Sequence, residues 1–284
     1  MRSANDTSRH VSNQLLIKSV KERNWPEAQY IVYNDAQYAK IRDPMGYLPL
    51  HLAVRLGGTP ELALLLLKAN PNSVMERDPE GNLPLHLASY HNKGRLWINI
   101  SELTTILYTA YPEAIRMGDK NNNLPLHIAL RYRAPDELVR FLLLEHPSSA
   151  QAKDQFGNLP LHLAIQFQAS YTVVNLLMTT FPEALKIGNA RASLPLHKAA
   201  QFDSPMEIFM LLLEADPSAA CAKDGRGNLP LHLCFLFCAG PPTEGRLRNL
   251  LQRNPSAVGT PNKEGNIPFA MMNRPQDHYV DDYR

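Results

Sequence analysis

Neither sign of charge dominates the chain: 29 Lys and Arg against 27 Asp and Glu leave a formal +2 over 284 residues. That balance excludes a polyelectrolyte tail and a strongly basic nucleic-acid binder. Long hydrophobic runs are missing as well, and none reaches the roughly 18 apolar residues that span a bilayer. The first residues, MRSANDTSRHVSNQ, lack the apolar stretch of a secretory signal, so an intracellular protein, cytoplasmic or nuclear, is expected. Cysteine is scarce. Cys221, Cys234 and Cys238 are too few and too clustered for a disulfide framework, which fits a reducing compartment. The acceptor-like triplets at Asn5 and Asn99 then read as chance matches to the glycosylation pattern. Glycine is also depleted, at 14 where average usage gives about 20.

Proline is what the chain has in excess, 23 residues against about 14 expected. One series runs Pro49, Pro84, Pro125, Pro160, Pro195, Pro230 and Pro268, and a second runs Pro71, Pro112, Pro147, Pro182, Pro217 and Pro255. From each second-series proline to the next first-series proline is always 13 residues. The opposite interval is 22, except for 28 between Pro84 and Pro112 and 25 between Pro230 and Pro255. This is a tandem repeat of 35 residues whose length changes all fall in one segment.

The local chemistry recurs in each unit. Asp or Asn opens it, usually with Gly three positions on, as in Asp43/Gly46, Asp78/Gly81, Asp154/Gly157, Asp224/Gly227 and Asn262/Gly265. That spacing is a tight-turn signature. Leu-Pro-Leu-His-Leu-Ala follows, with proline at a first helical position that needs no N–H partner. A loop leads to a second apolar-periodic run, such as Glu137–Leu143, which the second-series proline stops. Each unit therefore reads as turn, helix, loop, helix.

The Asp-x-x-Gly turn and Pro-Leu-His-x-Ala, as in Pro84-Leu85-His86-Leu87-Ala88 or Pro160-Leu161-His162-Leu163-Ala164, resemble the ankyrin repeat. The resemblance implies an all-α, ankyrin-type helical solenoid of paired antiparallel helices joined by short hairpin loops. The expected organisation is a disordered tail over 1–10, a single repeat domain over 11–273 and a C-terminal tail over 274–284. Within the domain an N-cap covers 11–42, repeats begin at 43, 78, 119, 154, 189 and 224, and a partial repeat begins at 262. Two departures from the family stand out. The period is 35 where about 33 is usual. The threonine before Pro-Leu-His is replaced by Leu48, Leu83, Leu124, Leu159, Leu194, Leu229 and Ile267. An N-cap threonine is worth about 1 kcal/mol, and a buried leucine offsets that by about 1.5–3 kcal/mol.

Several constellations invite a chemical reading. His51, His86, His127, His162, His197 and His232 share one phase. Stacked helices lie about 8–10 Å apart, whereas zinc needs four ligands at about 2.0–2.3 Å, so the histidines read as structural. Cys234 and Cys238 near His232 have no second ligand pair, and Cys234 takes the place of a repeated alanine, which favours packing. No phosphate-loop, dinucleotide, zinc-protease or serine-hydrolase signature occurs. No catalytic, cofactor-binding or metal-binding residue is therefore assigned.

Five residues after each histidine stand Leu56, His91, Tyr132, Phe167, Phe202 and Phe237, and just before them Arg55, Tyr90, Arg131, Gln166, Gln201 and Leu236. The resemblance places these phases at the border of a concave, partner-gripping groove. Aromatics and arginine dominate binding hot spots, yet strict recurrence equally fits packing, and both readings stay open. The two stretched intervals correspond to insertions within His91–Ile100, which carries Trp97, and within Cys238–Arg246. Insertions in repeats map to loops on one face, often a binding face, although the Trp97 segment could equally fold back on the stack. Basic side chains near the turns, such as Arg42 and Lys120, alternate with aspartates and read as a solvated rim.

The functional expectation is a non-catalytic, monomeric adaptor that binds another protein, with no nucleic acid, no cofactor and no direct membrane insertion. The alternative is a regulatory subunit or an enzyme whose active site carries no recognised motif. The protein-binding candidates are Arg55, Tyr90, His91, Trp97, Arg131, Tyr132, Gln166, Phe167, Gln201, Phe202 and Phe237.

Overall fold

The computed structural model describes residues 15–90, 100–237 and 241–272. Among them are 14 α-helices and no strand, the all-α, ankyrin-type repeat of helix pairs expected. The chain falls into two compact units, Met1–His146 and Pro147–Arg284.

The first unit holds α1 (Leu15–Lys21), α2 (Trp25–Asn34), α3 (Pro49–Leu56), α4 (Pro60–Ala69), α5 (Pro84–Ala88), α6 (Ile100–Ala110), α7 (Pro125–Arg131) and α8 (Asp136–Glu145). The odd-numbered helices stack in order, α1 on α3, α3 on α5 and α5 on α7, and the even-numbered ones do likewise. The pair α1–α2 has no proline–histidine signature, and Lys21 pairs with Asp43 of the first turn at 2.8 Å. The second unit holds α9 (Pro160–Gln166), α10 (Tyr171–Thr180), α11 (Pro195–Gln201), α12 (Met206–Ala215), α13 (Pro230–Phe237) and α14 (Pro241–Arg253). Here α9, α11 and α13 form one row, and α10, α12 and α14 the other. A final 3₁₀ turn, Pro268–Met271, packs on α13.

Every first helix starts at its first-series proline, and the leucine before it is extended and has no acceptor to offer. Histidine supplies the missing cap from inside the helix. The leucine N–H donates to Nδ1 of the histidine three residues on, at 2.9–3.2 Å in all six repeats. Nε2–H then donates onward to a carbonyl of the following hairpin: His51 to Glu76, His86 to Asn123, His162 to Ser193, His197 to Asn228 and His232 to Asn266, at 2.9–3.1 Å. Leu48, Leu83, Leu124, Leu159 and Leu229 are buried, as the loss of the threonine cap requires. Leu194 is half-buried and Ile267, at 39 % exposure, is exposed.

The second-series prolines do more than stop a helix. They open 3₁₀ helices at Pro71–Val74, Pro112–Arg116, Pro147–Gln151, Pro182–Lys186, Pro217–Cys221 and Pro255–Gly259. The residue ahead is driven off the helical region by the proline ring, to φ between −138° and −150° and ψ of 76–85°. The proline then sits where its fixed φ suits a new helical turn.

The turns close as their composition requires. Asp154 Oδ1 accepts from the N–H groups of Phe156 and Asn158, both at 2.9 Å, and Gly157 takes φ +73°. A Cβ on Gly157 would lie 2.7 Å from the Ala190 nitrogen, because Ala190 N–H donates to Phe156 O across the adjacent hairpins. In the Asn189 turn this glycine position is Ala192, at φ +53°.

Two tests follow from these geometries. The left-handed region costs a non-glycine residue about 1–2 kcal/mol. Ala192→Gly is therefore expected to raise the unfolding free energy by about 1 kcal/mol, and Gly157→Ala to lower it by more than that, in urea titrations. The second concerns pH. Burial disfavours the charged imidazole, pushing His86 down to about 4 and His162 to about 3, with His51, His197 and His232 also lowered. The unfolded chain, with histidines near 6.5, then binds more protons than the folded one between pH 6.5 and about 3–4. The stabilisation is fully present above 6.5 and is lost as pH falls through that window, by about 1.4 kcal/mol per unit for each such histidine. Unfolding free energy from urea titrations should drop steeply between pH 6.5 and 4.5; a flat profile there would contradict neutral, buried imidazoles.

Candidate functional site

Helix ends place the candidate side chains. Tyr132, Phe167 and Phe202 are the C-caps of α7, α9 and α11, and the residues after them, Arg133, Gln168 and Asp203, take φ of +53°, +54° and +48°. The next N–H reaches back to the carbonyl five residues earlier: Ala134 to Ala129, Ala169 to Ala164 and Ser204 to Ala199, at 2.8–3.1 Å. This is the Schellman closure, made in the α3 repeat by Gly57 and Gly58. It leaves each aromatic half-buried at the end of its inner helix.

In the first unit these side chains are linked. The Arg55 guanidinium donates to the Tyr47 hydroxyl at 2.9 Å and lies 5.5 Å from the centre of the Tyr47 ring and 5.8 Å from that of Tyr90. Tyr90 and Tyr132 meet at 4.1 Å between ring centres, tilted by 46°. Tyr47 in turn hydrogen-bonds the Glu80 carboxylate. Arg131 reaches Asn123 Oδ1 at 3.4 Å. Arg55, Tyr90 and Tyr132 thus form one contiguous cation–aromatic row across three successive repeats, held in place by Tyr47.

The second unit is arranged differently. Gln166 and Phe167 are half-buried, as is Phe202, but Gln201 is 7 % exposed. Gln166 Oε1 accepts from Lys198 Nζ at 3.1 Å, and the same amine lies 5.2 Å from the centre of the Phe202 ring. Phe237 packs with Phe235 against Leu236 and Met271. His91 and Trp97 lie outside the described residues, as does Cys238. Cys234 is 0 % exposed and fills the phase of Ala53, Ala88, Ala129, Ala164 and Ala199, none of which exceeds 1 %.

The second insertion has a defined far end. α14 is 13 residues long where α4, α8, α10 and α12 have 10, so added residues lengthen this helix. Arg246, 2 % exposed, hydrogen-bonds the Asp203 carboxylate and the Ser204 carbonyl, and its guanidinium lies 5.7 Å from the Phe209 ring centre. It ties α14 to the inter-helix turn of the preceding repeat.

Three participants escaped sequence reading. Tyr47 replaces the Asn found at its phase in most later repeats, and Arg246 stands in the insertion without a repeat counterpart. Lys198 follows His197 where the other repeats have Leu52, Leu87, Ile128, Leu163 and Leu233. Each is a departure from the repeat, which is the signal that could have found it. Among the described residues no group of three or more His, Cys, Asp or Glu side chains converges as metal ligands would. No helix among them is long and apolar enough to cross a membrane.

Residues 45–76 match the family model for the ankyrin repeat, the stretch from the first hairpin turn through α3, α4 and the following 3₁₀ turn. The match identifies an ankyrin repeat at 45–76, and helix pairs of the same kind recur through both units. A search of the curated proteins found no match. Repeats of this family are in general protein–protein interaction modules and typically non-catalytic.

Arg246 gives a test of the insertion's anchoring. A lysine cannot reproduce two divergent guanidinium hydrogen bonds. Arg246→Lys is expected to lower the unfolding free energy by about 1–3 kcal/mol in denaturant titrations, in line with a broken buried network.

Proposed function

We propose that this protein is a non-catalytic adaptor that binds another protein along its inner-helix face, the groove that the family resemblance implies. The observation that carries this reading is the row Arg55–Tyr90–Tyr132. Its side chains are only half-buried, yet they are mutually fixed by the 5.8 Å cation–π contact and the 4.1 Å ring contact. Aromatic and arginine side chains held in place before association lose little freedom on binding, which is how a small patch comes to dominate an interface. Strict packing does not call for an arginine between two tyrosines at a partly exposed helix end. The near-neutral charge and the turn aspartates beside the basic rim favour a protein partner over a nucleic acid. The reading takes the protein to act as a monomer in a reducing, intracellular compartment.

The test compares full-length wild type with two variants, Arg55→Gln/Tyr90→Ala/Tyr132→Ala in the first unit and Phe167→Ala/Phe202→Ala in the second. Proteins retained on each are identified by mass spectrometry, and folding is checked by circular dichroism. At least one specific partner should be lost by a variant that remains helical. Retention of every partner by both folded variants would refute binding through the inner-helix face.

A further inference from the structure

Arg55 lies half-buried in the last turn of α3, and its surroundings use little of what a guanidinium offers. The group carries five N–H donors in a planar fork. Among the described residues it makes one hydrogen bond, to the Tyr47 hydroxyl at 2.9 Å, and that hydroxyl donates to the Glu80 carboxylate. Glu80 thus acts on Arg55 at one remove, and no carboxylate among the described residues pairs with the fork directly. The ring centres of Tyr47 and Tyr90, 5.5 and 5.8 Å from the guanidinium carbon, orient the group and shield it from water. A shielded cation gains more from an incoming anion than one in open solvent.

The charge at this phase is confined to one unit. α3 and α7 carry Arg55 and Arg131 there, whereas α9, α11 and α13 carry Gln166, Gln201 and Leu236. The turn carboxylates of the first unit are already committed: Asp43 to Lys21 and the N–H groups of Met45 and Tyr47, Asp78 to Asn82, and Asp119 to Asn121 and Asn123. The face is therefore complementary to an anion. Beside it lies an apolar strip. Tyr90 and Tyr132, both half-buried, are 4.1 Å apart between ring centres, and Tyr90 also flanks Arg55. Because the three side chains touch in succession, the parts of them that reach solvent adjoin.

We propose that Arg55, Tyr90 and Tyr132 recognise an extended segment of a partner protein that carries an acidic residue with an apolar residue two positions away. The carboxylate accepts two parallel N–H bonds from the Arg55 fork, which the Tyr47 hydroxyl positions. The apolar side chain lies across Tyr90 and Tyr132. Same-side residues of an extended chain are about 6.6 Å apart, close to the 5.8 Å between the guanidinium and the Tyr90 ring centre. The inference rests on the adaptor reading and adds to it the chemistry of the partner at two positions.

The test selects peptides from a displayed library of random sequences on the full-length protein. Wild type should enrich Asp or Glu at one register with an apolar residue two positions away. A synthetic selected peptide should lose about tenfold or more in affinity when its acid becomes Asn or Gln, as a charge-assisted pair is removed. Arg55→Gln, with folding checked by circular dichroism, should bind the same peptide as weakly, and combining both changes should cost no more than either alone. Arg55→Lys should bind more weakly than wild type, because an ammonium cannot meet both carboxylate oxygens in parallel. The peptide-side change leaves the protein untouched, so it tests the acid independently of how the variants fold. Peptides lost on the first-unit variant described above that lack the acid or the apolar neighbour, or that bind Arg55→Gln as well as wild type, would overturn the site and leave the adaptor reading intact. Peptides lost only on the second-unit variant would do the same. Peptides indifferent to both variants, or no binder at all, would count against the adaptor reading and remove this site with it.

Discussion

A two-ended hydrogen bond of one imidazole organises five of the repeats, those of His51, His86, His162, His197 and His232. Nδ1 accepts from the backbone N–H that opens its own helix, and Nε2–H donates to a carbonyl of the next hairpin. The ring can do both only when neutral and in a single tautomer, which burial enforces by making the charged form expensive. The same contact therefore serves as a helix cap and as a strut between repeats. It explains how leucine can replace a capping threonine: the cap is provided from within the helix, and the freed position goes into the core.

That strut also accounts for where length can vary. The 13 residues from a second-series proline to the next first-series proline contain the 3₁₀ turn, the hairpin and the acceptor carbonyls that the preceding histidine needs. In the second unit, adjacent hairpins also bond directly, Gly225 N–H to Arg191 O at 2.7 Å and Lys263 N–H to Arg226 O at 3.0 Å. An inserted residue there would shift the acceptor from the donor and break a contact on each side. The link between paired helices carries no such obligation. It closes on itself through the Schellman bond, so extra residues enter at little cost, as the 13-residue α14 illustrates.

Much of this was legible because proline, histidine and the turn carboxylates act locally and at fixed offsets. The helix starts at Pro49 through Pro230 and the turns at Asp43, Asp154 and Asp224 fall where the repeat places them. The 3₁₀ helices were not legible, since a proline that ends one helix is equally suited to begin another, and only the extended residue ahead decides it. The left-handed Arg133, Gln168 and Asp203 were silent for a related reason: no glycine marks them, and the Schellman geometry is sustained by its surroundings. The aromatic column proved heterogeneous. Tyr132 joins a cation–aromatic row, Phe202 lies against a buried lysine, and Phe237 packs against Leu236 and Met271, three fates that share one phase.

That heterogeneity is informative about function. Selection for stacking alone acts on every repeat alike, so it produces columns such as the buried histidines and the alanines beside them. A partner touches particular repeats, so recognition leaves residues that fit their own neighbours and not the column. Arg55 between Tyr47 and Tyr90 and Lys198 beside Gln166 and Phe202 fit their own neighbours and not the column. Both place a cation against an aromatic ring at the end of an inner helix, and neither is demanded by the strut that holds the repeats together. Arg246 also departs from the repeat, yet its contacts run to the turn of the preceding repeat, so departure from symmetry alone does not mark a site. What separates them is direction: Arg246 ties one repeat to the next and so completes the fold, whereas Arg55 stays half-buried at the end of its helix among the aromatic rings of its own neighbours.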